Sequence, residues 1–123
     1  MKRLFIAGAV VAALLNFGNA EAKSVRTVYG KVTDVIATDG TIYGGCAVKV
    51  DYDIRKYSSA CNGASTGSWV TFSCSGELQN GETGKFLFEQ AQIAYLMNKT
   101  IRFDIEDSKK HNNFCLVTRT DLK

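Results

Sequence analysis

Histidine and closely paired cysteines, two common ligands of zinc, are scarce in this 123-residue sequence. His111 is the only histidine, and none of the four cysteines forms a C-x2-C pair with another. Structural zinc sites combine four such ligands at short spacings, so the sequence predicts no metal centre. We expect no metal and no other cofactor.

Recognisable catalytic motifs are also absent. The sequence contains no GxSxG, HExxH, P-loop or GxGxxG motif. A nucleophile–histidine pair would have to use His111, which we expect to be an exposed residue of a polar turn. The acidic residues at 51 and 53 and at 104, 106 and 107 alternate with basic ones, which is typical of solvated strand faces rather than of a glycosidase pair. We therefore expect no enzyme, with a small secreted hydrolase as the minor alternative.

The chain further lacks proline, internal repeats, low-complexity tracts and a large excess of charge. Its 15 basic residues include Lys2 and Arg3, and without these two, 13 basic residues stand against 12 acidic ones. Neutralising phosphates requires a basic surface, so this balance argues against nucleic acid as a partner. It gives no support for electrostatic binding to membranes either.

The one long apolar run lies at the N-terminus. Lys2 and Arg3 precede residues 4–15, an apolar stretch too short to span a bilayer, and small residues then offer cleavage after Ala20 or Ala22. We assign residues 1–20 to a bacterial Sec signal peptide and residues 21–123 to a single secreted or periplasmic domain. No second run of this kind follows, so we expect no membrane anchor.

Alternating hydrophobicity dominates the remaining sequence and predicts a mainly β domain. Asp39-Gly40 is a turn signal between the first two strands, and polar loops at 57–68, 75–83 and 107–113 separate later elements. The predicted strands cover residues 25–38, 42–55, 69–74, 101–106 and 114–121, with a helix over residues 84–100. The order β-β-β-α-β-β is that of the five-stranded OB-fold, a β-barrel with one helix.

Four cysteines behind a secretory signal predict two disulfide bonds, for which three pairings exist. The second and third strands form a hairpin in the OB topology, which favours Cys46–Cys74. The third and fifth strands run parallel, which brings the start of the fifth strand close to the 57–68 loop and favours Cys61–Cys115. The other two pairings remain open on the sequence alone.

The predicted helix carries more apolar surface than one packed face requires. Thr83 is the expected N-cap, and Asn98 and Lys99 close the other end. A second stripe lies apart from the main face and either is buried within the chain or contacts another subunit. The main face comprises Leu87, Phe88, Ala91, Ala94 and Tyr95, and the second stripe comprises Phe86, Ile93 and Met97.

Aromatic rings beside polar groups suggest a binding function. A ring stacks on the apolar face of a sugar while hydroxyls and amides pair with the sugar's hydroxyl groups. Trp69 shares a strand face with Thr71 and Ser73, although burial under the 57–68 loop is the alternative for Trp69. The turn before the last strand lies where OB barrels often hold ligands. The candidate ligand-binding residues are Trp69, Thr71, Tyr29, Tyr43, Tyr57, Lys109, Lys110 and His111.

Residues 28–105 resemble the B subunits of the subtilase cytotoxin and of the pertussis-like typhoid toxin. The resemblance rests on the segment VYGKVTDVIATDGTIYGGC, on cysteines matching Cys46 and Cys74, and on the run FEQAQIAYLMNKTIRFDI. It implies a secreted OB barrel, a Cys46–Cys74 bridge and a pentameric ring that binds glycans. The family's glycan pocket uses a serine where Tyr29 or Gly30 stands here, so that site is not carried over.

Two functional hypotheses follow. The first is a non-enzymatic binding module similar to toxin B subunits, which binds host or cell-surface glycans or a secreted partner protein as a ring-shaped homo-oligomer. An enzymatic A-type subunit is one partner that this resemblance implies. The second is a periplasmic protein-binding inhibitor or envelope-stress protein without a glycan ligand.

Overall fold

The structure is a computed structural model, and it describes residues 24–61 and 67–123. The predicted signal peptide, both cleavage sites and residues 62–66 of the predicted 57–68 loop lie outside the described residues. Along the described ranges, no helix is both long enough and apolar enough to cross a membrane.

The described chain is mainly β, with six strands in one sheet and one α-helix. The elements are β1 (Ser24–Arg26), β2 (Val32–Ala37), β3 (Cys46–Val50), β4 (Trp69–Thr71), α1 (Gly81–Leu96), β5 (Ile101–His111) and β6 (Phe114–Leu122). The strand order across the sheet is β1-β5-β6-β4-β3-β2. The predicted β3–β4 hairpin and the predicted parallel pairing of β4 with β6 are both confirmed.

The first predicted strand, residues 25–38, is divided into β1 and β2. β1 pairs with β5, whereas β2 pairs with β3, so the two halves lie at opposite edges of the sheet. Between them, Gly30 forms a bridge with Ile101. A side chain at Gly30 would overlap the Tyr52 ring, and this close approach explains the glycine. Arg26 donates to Asp104 at 2.7 Å, and this hydrogen bond lowers the pKa of the Asp104 carboxyl.

The second and third predicted strands are shorter than expected. Residues 42–45 and 54–56 form 3-10 turns on either side of β3, and the positive φ angles of Tyr43 (54°) and Gly44 (74°) prevent extended pairing there. β4 ends at Thr71 because Ser73 takes a φ of 52°. The alternation in β3 predicted one buried and one exposed face. Cys46 on the first face is buried as expected, but Ala47 on the second face is fully buried as well.

The polar segment 107–113 is largely strand rather than turn, which corrects the predicted boundary. β5 continues to His111, because after an irregularity between Glu106 and Lys110 its backbone pairs with β6 again, whatever the polarity of its side chains. The turn itself is Asn112-Asn113, whose φ angles of 51° and 68° match a two-residue hairpin turn.

Both favoured disulfide bonds are present. Cys46 and Cys74 join across the β3–β4 hairpin with a Cα–Cα distance of 5.7 Å, and Cys61 joins Cys115 at 5.2 Å. Two structural disulfides indicate an oxidising, extracytoplasmic environment.

The helix begins earlier and ends earlier than predicted. Asn80, not Thr83, is the N-cap, because the Asn80 side chain accepts from the Glu82 N–H at 2.8 Å. The C-terminal prediction is confirmed for Asn98, whose φ of 54° allows the Lys99 N–H to donate to the Ala94 carbonyl. This left-handed ending satisfies carbonyls of the last turn.

One face of α1 covers the core. The face packs against β2, β3 and β6 and buries five residues: Gly84, Leu87, Phe88, Ala91 and Ala94. Tyr95 was expected on this face but is 47% exposed. Within the core, the Phe72 ring contacts the rings of Phe88 and Phe103 at 5.6 and 6.0 Å between centroids.

Gly84→Ala should lower the free energy of unfolding by about 1–3 kcal/mol, although alanine is the better helix former. A Cβ at Gly84 would overlap the Phe72 carbonyl oxygen and force α1 away from β4. Urea denaturation of the oxidised protein measures the change. The matched control is Lys85→Ala on the exposed neighbouring position, which should change the stability by no more than about 0.5 kcal/mol. Stabilisation by Gly84→Ala would contradict the close packing.

Candidate functional site

Three aromatic rings lie parallel to one another at one end of the sheet, and we call them the aromatic stack. The ring of Phe114 lies between those of Tyr43 and Trp69, with centroid distances of 4.8 Å to Tyr43 and 5.7 Å to Trp69. Phe114 is only 3% exposed, whereas Tyr43 and Trp69 are half-buried. The stack therefore presents its two outer members at the surface.

Strand register accounts for two members of the stack. Val70 pairs with Cys115 in the parallel β4–β6 ladder, so the preceding residues Trp69 and Phe114 occupy neighbouring positions. Tyr43 comes from the 3-10 turn before β3. Non-glycine residues rarely adopt positive φ, so the position of Tyr43 must be held by surrounding contacts.

Thr71 supplies one of these contacts. Its hydroxyl donates to the Tyr43 carbonyl at 2.7 Å and accepts from the Ser73 N–H at 3.1 Å. Thr71 is fully buried. It therefore supports the stack from below instead of presenting its hydroxyl at the surface.

Gly44 lies between Thr71 and His111 in a space that no side chain could occupy. A Cβ at Gly44 would lie 2.6 Å from the Thr71 hydroxyl and 2.7 Å from Cδ2 of His111. Glycine thus allows both the left-handed backbone and the close approach of the turn to β4 and β5.

A polar cluster of Ser73, Glu77 and His111 adjoins the stack. The Ser73 hydroxyl lies 3.2 Å from His111 Nε2, and Glu77 Oε1 lies 3.6 Å from the same nitrogen. The Ser73 hydroxyl also accepts from the Leu78 N–H at 3.0 Å. These contacts tie the end of β5 to the loop between β4 and α1.

The polar cluster has the residue types of a hydrolytic triad but not its geometry. In such a triad the acid contacts the imidazole nitrogen opposite the one that contacts the serine. Here Ser73 and Glu77 both contact Nε2, and Ser73 is fully buried. The arrangement therefore offers structural hydrogen bonds rather than an accessible nucleophile.

The structure brings together four of the eight predicted ligand-binding residues: Tyr43, Trp69, Thr71 and His111. Tyr29 and Tyr57 lie elsewhere. Tyr29 contacts Arg102, whose guanidinium carbon is 4.7 Å from the ring centroid. The Tyr57 hydroxyl accepts from the Val28 N–H, and its ring meets Tyr52 edge-on. Burial raises the pKa of the Tyr52 hydroxyl.

Lys109 and Lys110, the two lysines predicted to bind a ligand, both contact other residues of the chain. Lys109 Nζ lies 3.5 Å from Glu106 Oε2, and Lys110 Nζ donates to the Ala60 carbonyl at 3.3 Å. Among residues 24–61 and 67–123, no group of three or more histidine, cysteine, aspartate or glutamate side chains could hold a metal ion.

Sequence reasoning did not identify Phe114 and Glu77 as site residues, and it placed Ser73 on the strand face of Trp69 without naming it a ligand-binding residue. The signal for Phe114 was present, because the predicted parallel pairing and Cys115 together place it beside Trp69. Glu77 gave no comparable signal, since its contact with His111 depends on the backbone path after β4.

Comparison with known proteins finds no matching family model, and no curated protein or solved structure matches the chain.

Thr71→Val should disorder the aromatic stack and destabilise the fold by about 1–3 kcal/mol, because it removes a buried hydroxyl and leaves its partners unsatisfied. Near-ultraviolet circular dichroism reports the order of the rings, and thermal unfolding reports the stability. Thr71→Ser retains the hydroxyl and is the matched control, for which we expect a near-native aromatic spectrum. Equal spectra for the two variants would contradict the supporting role of Thr71.

Proposed function

We propose that this protein is an extracytoplasmic, non-enzymatic binding module of the OB type, which binds glycans at the aromatic stack and assembles into a ring-shaped homo-oligomer. The resemblance of residues 28–105 to toxin B subunits supports this proposal and adds a secreted partner, such as an enzymatic A-type subunit. The two disulfides agree with a secreted or periplasmic location.

The barrel interpretation treats β1, residues 27–31 and β2 as one bent strand. Its first half hydrogen-bonds to β5, and its second half to β3. The Thr27 N–H donates to the Phe103 carbonyl, and the Asp51 N–H donates to the Lys31 carbonyl, so the connecting residues also bond to both sides. A single strand with these partners would close a five-stranded barrel, as in the OB-fold.

The observation that carries the glycan proposal is the pair of half-buried rings, Tyr43 and Trp69, on either side of Phe114. A fixed ring costs little entropy when it stacks on an apolar sugar face, because its side chain is already ordered. Glu77 and His111 lie close by and supply groups that can hydrogen-bond to sugar hydroxyls. Ring and polar groups side by side are the chemistry that a sugar requires.

The test is glycan-array binding by the purified, oxidised protein. Trp69→Ala should abolish binding while the far-ultraviolet spectrum is retained. Tyr95→Ala is the matched control, since Tyr95 is an exposed aromatic residue on α1 and should leave binding unchanged. Absence of glycan binding by the wild-type protein, or equal binding by the Trp69 variant, would overturn the proposal.

The second apolar stripe of α1 supports assembly. Its three residues, Phe86, Ile93 and Met97, are 60%, 41% and 63% exposed, and the neighbouring Leu96 is 79% exposed. Exposed apolar side chains aligned along one side of a helix mark a surface that another protein covers. A ring would bury it in the same way at every subunit.

The same stripe also supports the second candidate function, a periplasmic protein-binding inhibitor or envelope-stress protein. In that case the stripe contacts a different protein and not a further copy. The native mass of the wild-type protein separates the two, because only the first requires a homo-oligomer.

Ile93→Glu should convert the oligomer into a folded monomer, because a charge in the middle of the stripe cannot be buried against a neighbour. Sedimentation velocity measures the mass, and circular dichroism confirms folding. Ala91→Glu, on the core-facing side of the same helix, should instead unfold the protein. A wild-type monomer at high micromolar concentration would rule out the ring and favour the second candidate.

A further inference from the structure

The Cys46–Cys74 disulfide lies in an open groove between β3 and the start of α1. The groove has a volume of about 280 Å³, and its lining includes Cys46, Cys74, Ser75, Lys85 and Phe88. Cys74 is only half-buried and packs against the buried residues of the core. A small molecule or the end of a loop can therefore approach this bridge from solvent.

The other disulfide is enclosed. Cys61 and Cys115 are both 0% exposed, and Cys115 lies inside the β4–β6 ladder next to Val70. Access to the sulfur is one determinant of the rate of thiol–disulfide exchange. The two bridges of this small domain therefore differ in the property that governs their reaction with a thiol.

We propose that Cys46–Cys74 is a thiol–disulfide exchange site for a dithiol reductant, and that its opening loosens the turn that carries Tyr43. The bond that breaks is the Cys46–Cys74 disulfide, whereas Cys61–Cys115 remains intact. This proposal does not depend on a glycan ligand or on a ring.

The exchange has two steps. A thiolate of the reductant attacks Cys74 Sγ, forms a mixed disulfide and expels Cys46 as a thiolate. The reductant's second thiolate then attacks the reductant sulfur that is bonded to Cys74. This closes a disulfide within the reductant and releases Cys74 as a thiolate. The reductant leaves as a disulfide, two electrons pass to the protein, and both cysteine thiolates take up the protons that the reductant lost.

The surroundings of Cys74 favour the Cys74 thiolate, which the second step releases. Gly81, the first residue of α1, packs close to the Cys74 carbonyl, which places the start of the helix beside this residue. The first turn of a helix is its positive end, and the basic residue Lys85 is among the residues that line the same groove. Both features stabilise negative charge near a sulfur.

The structural consequence follows from the position of Cys46 directly after the left-handed turn. The Ser75 N–H donates to the Gly44 carbonyl at 3.0 Å, and the Thr38 N–H donates to the Gly45 carbonyl at 2.9 Å. The disulfide is the covalent tie between residues 44–46 and residues 73–75. Without it, the turn of residues 43–45 is held only by non-covalent contacts, which are its hydrogen bonds and the stacking of Tyr43 on Phe114.

The first test is timed reduction of the native, oxidised protein with dithiothreitol, followed by alkylation and peptide mass spectrometry. We expect Cys46 and Cys74 to be alkylated at least tenfold faster than Cys61 and Cys115. Equal rates, or earlier alkylation of Cys61 and Cys115, would overturn the proposal.

The second test measures amide hydrogen exchange in the Cys46→Ser/Cys74→Ser variant. We expect faster exchange in residues 41–46 than in the wild type, with unchanged exchange in β5 and β6. Unchanged protection of residues 41–46 would contradict the coupling between the bridge and the turn. If the variant does not fold, wild-type protein alkylated only at Cys46 and Cys74 gives the same comparison.

Discussion

The parallel pairing of β4 with β6 is the contact on which the rest of the structure depends. It involves only two residue pairs, Val70 with Cys115 and Thr71 with Leu116, yet it joins the β3–β4 hairpin to the β5–β6 hairpin. Parallel neighbours require a crossover connection, and α1 together with β5 forms that connection. The same pairing places Trp69 beside Phe114 and Cys115 beside the loop that contains Cys61. The core, the Cys61–Cys115 disulfide and the aromatic stack therefore all depend on the register of the β4–β6 pair.

The crossover helix satisfies two conflicting demands. Its inner face needs small residues, because Gly84 lies against the Phe72 carbonyl and larger side chains would separate helix and sheet. Its outer face nevertheless retains large apolar residues that the described chain does not cover. Core packing explains Gly84, Ala91 and Ala94 fully, but it gives no reason for Phe86, Ile93 and Met97. The outer stripe is thus a property that selection on folding of a single chain does not require.

Sequence patterns predicted the pairing of elements better than their ends. Strand order and cysteine positions favoured the two disulfides and the parallel pair that the structure shows, because these depend on topology. The predicted ends of the helix and strands were wrong where a local effect overrode the hydrophobic pattern. Asn80 replaced Thr83 as the cap, and asparagine is the stronger of the two residue types at that position. The backbone pairing of β5 continued through residues whose polarity predicted a turn.

The candidate site was predictable only in part, because its least predictable residue is its most constrained one. Tyrosine is common in strands, so the residue type at position 43 does not indicate a positive φ, although Gly44-Gly45 after it is a turn signal. A left-handed tyrosine costs of the order of 1 kcal/mol and persists only where its surroundings fix it. Here the Thr71 hydroxyl holds its carbonyl, and Phe114 stacks on its ring.

These constraints give the strained turn a consequence for the proposed glycan binding. Ordering a flexible aromatic side chain on association reduces affinity, whereas a ring that is already fixed avoids that loss. The Thr71 hydrogen bond and the Phe114 ring fix Tyr43 directly, and the Cys46–Cys74 bridge fixes the residues that follow it. Removing any one of them should leave the sheet intact and release the ring. The strain at Tyr43 is therefore best explained as the means by which this end of the sheet presents an ordered aromatic surface.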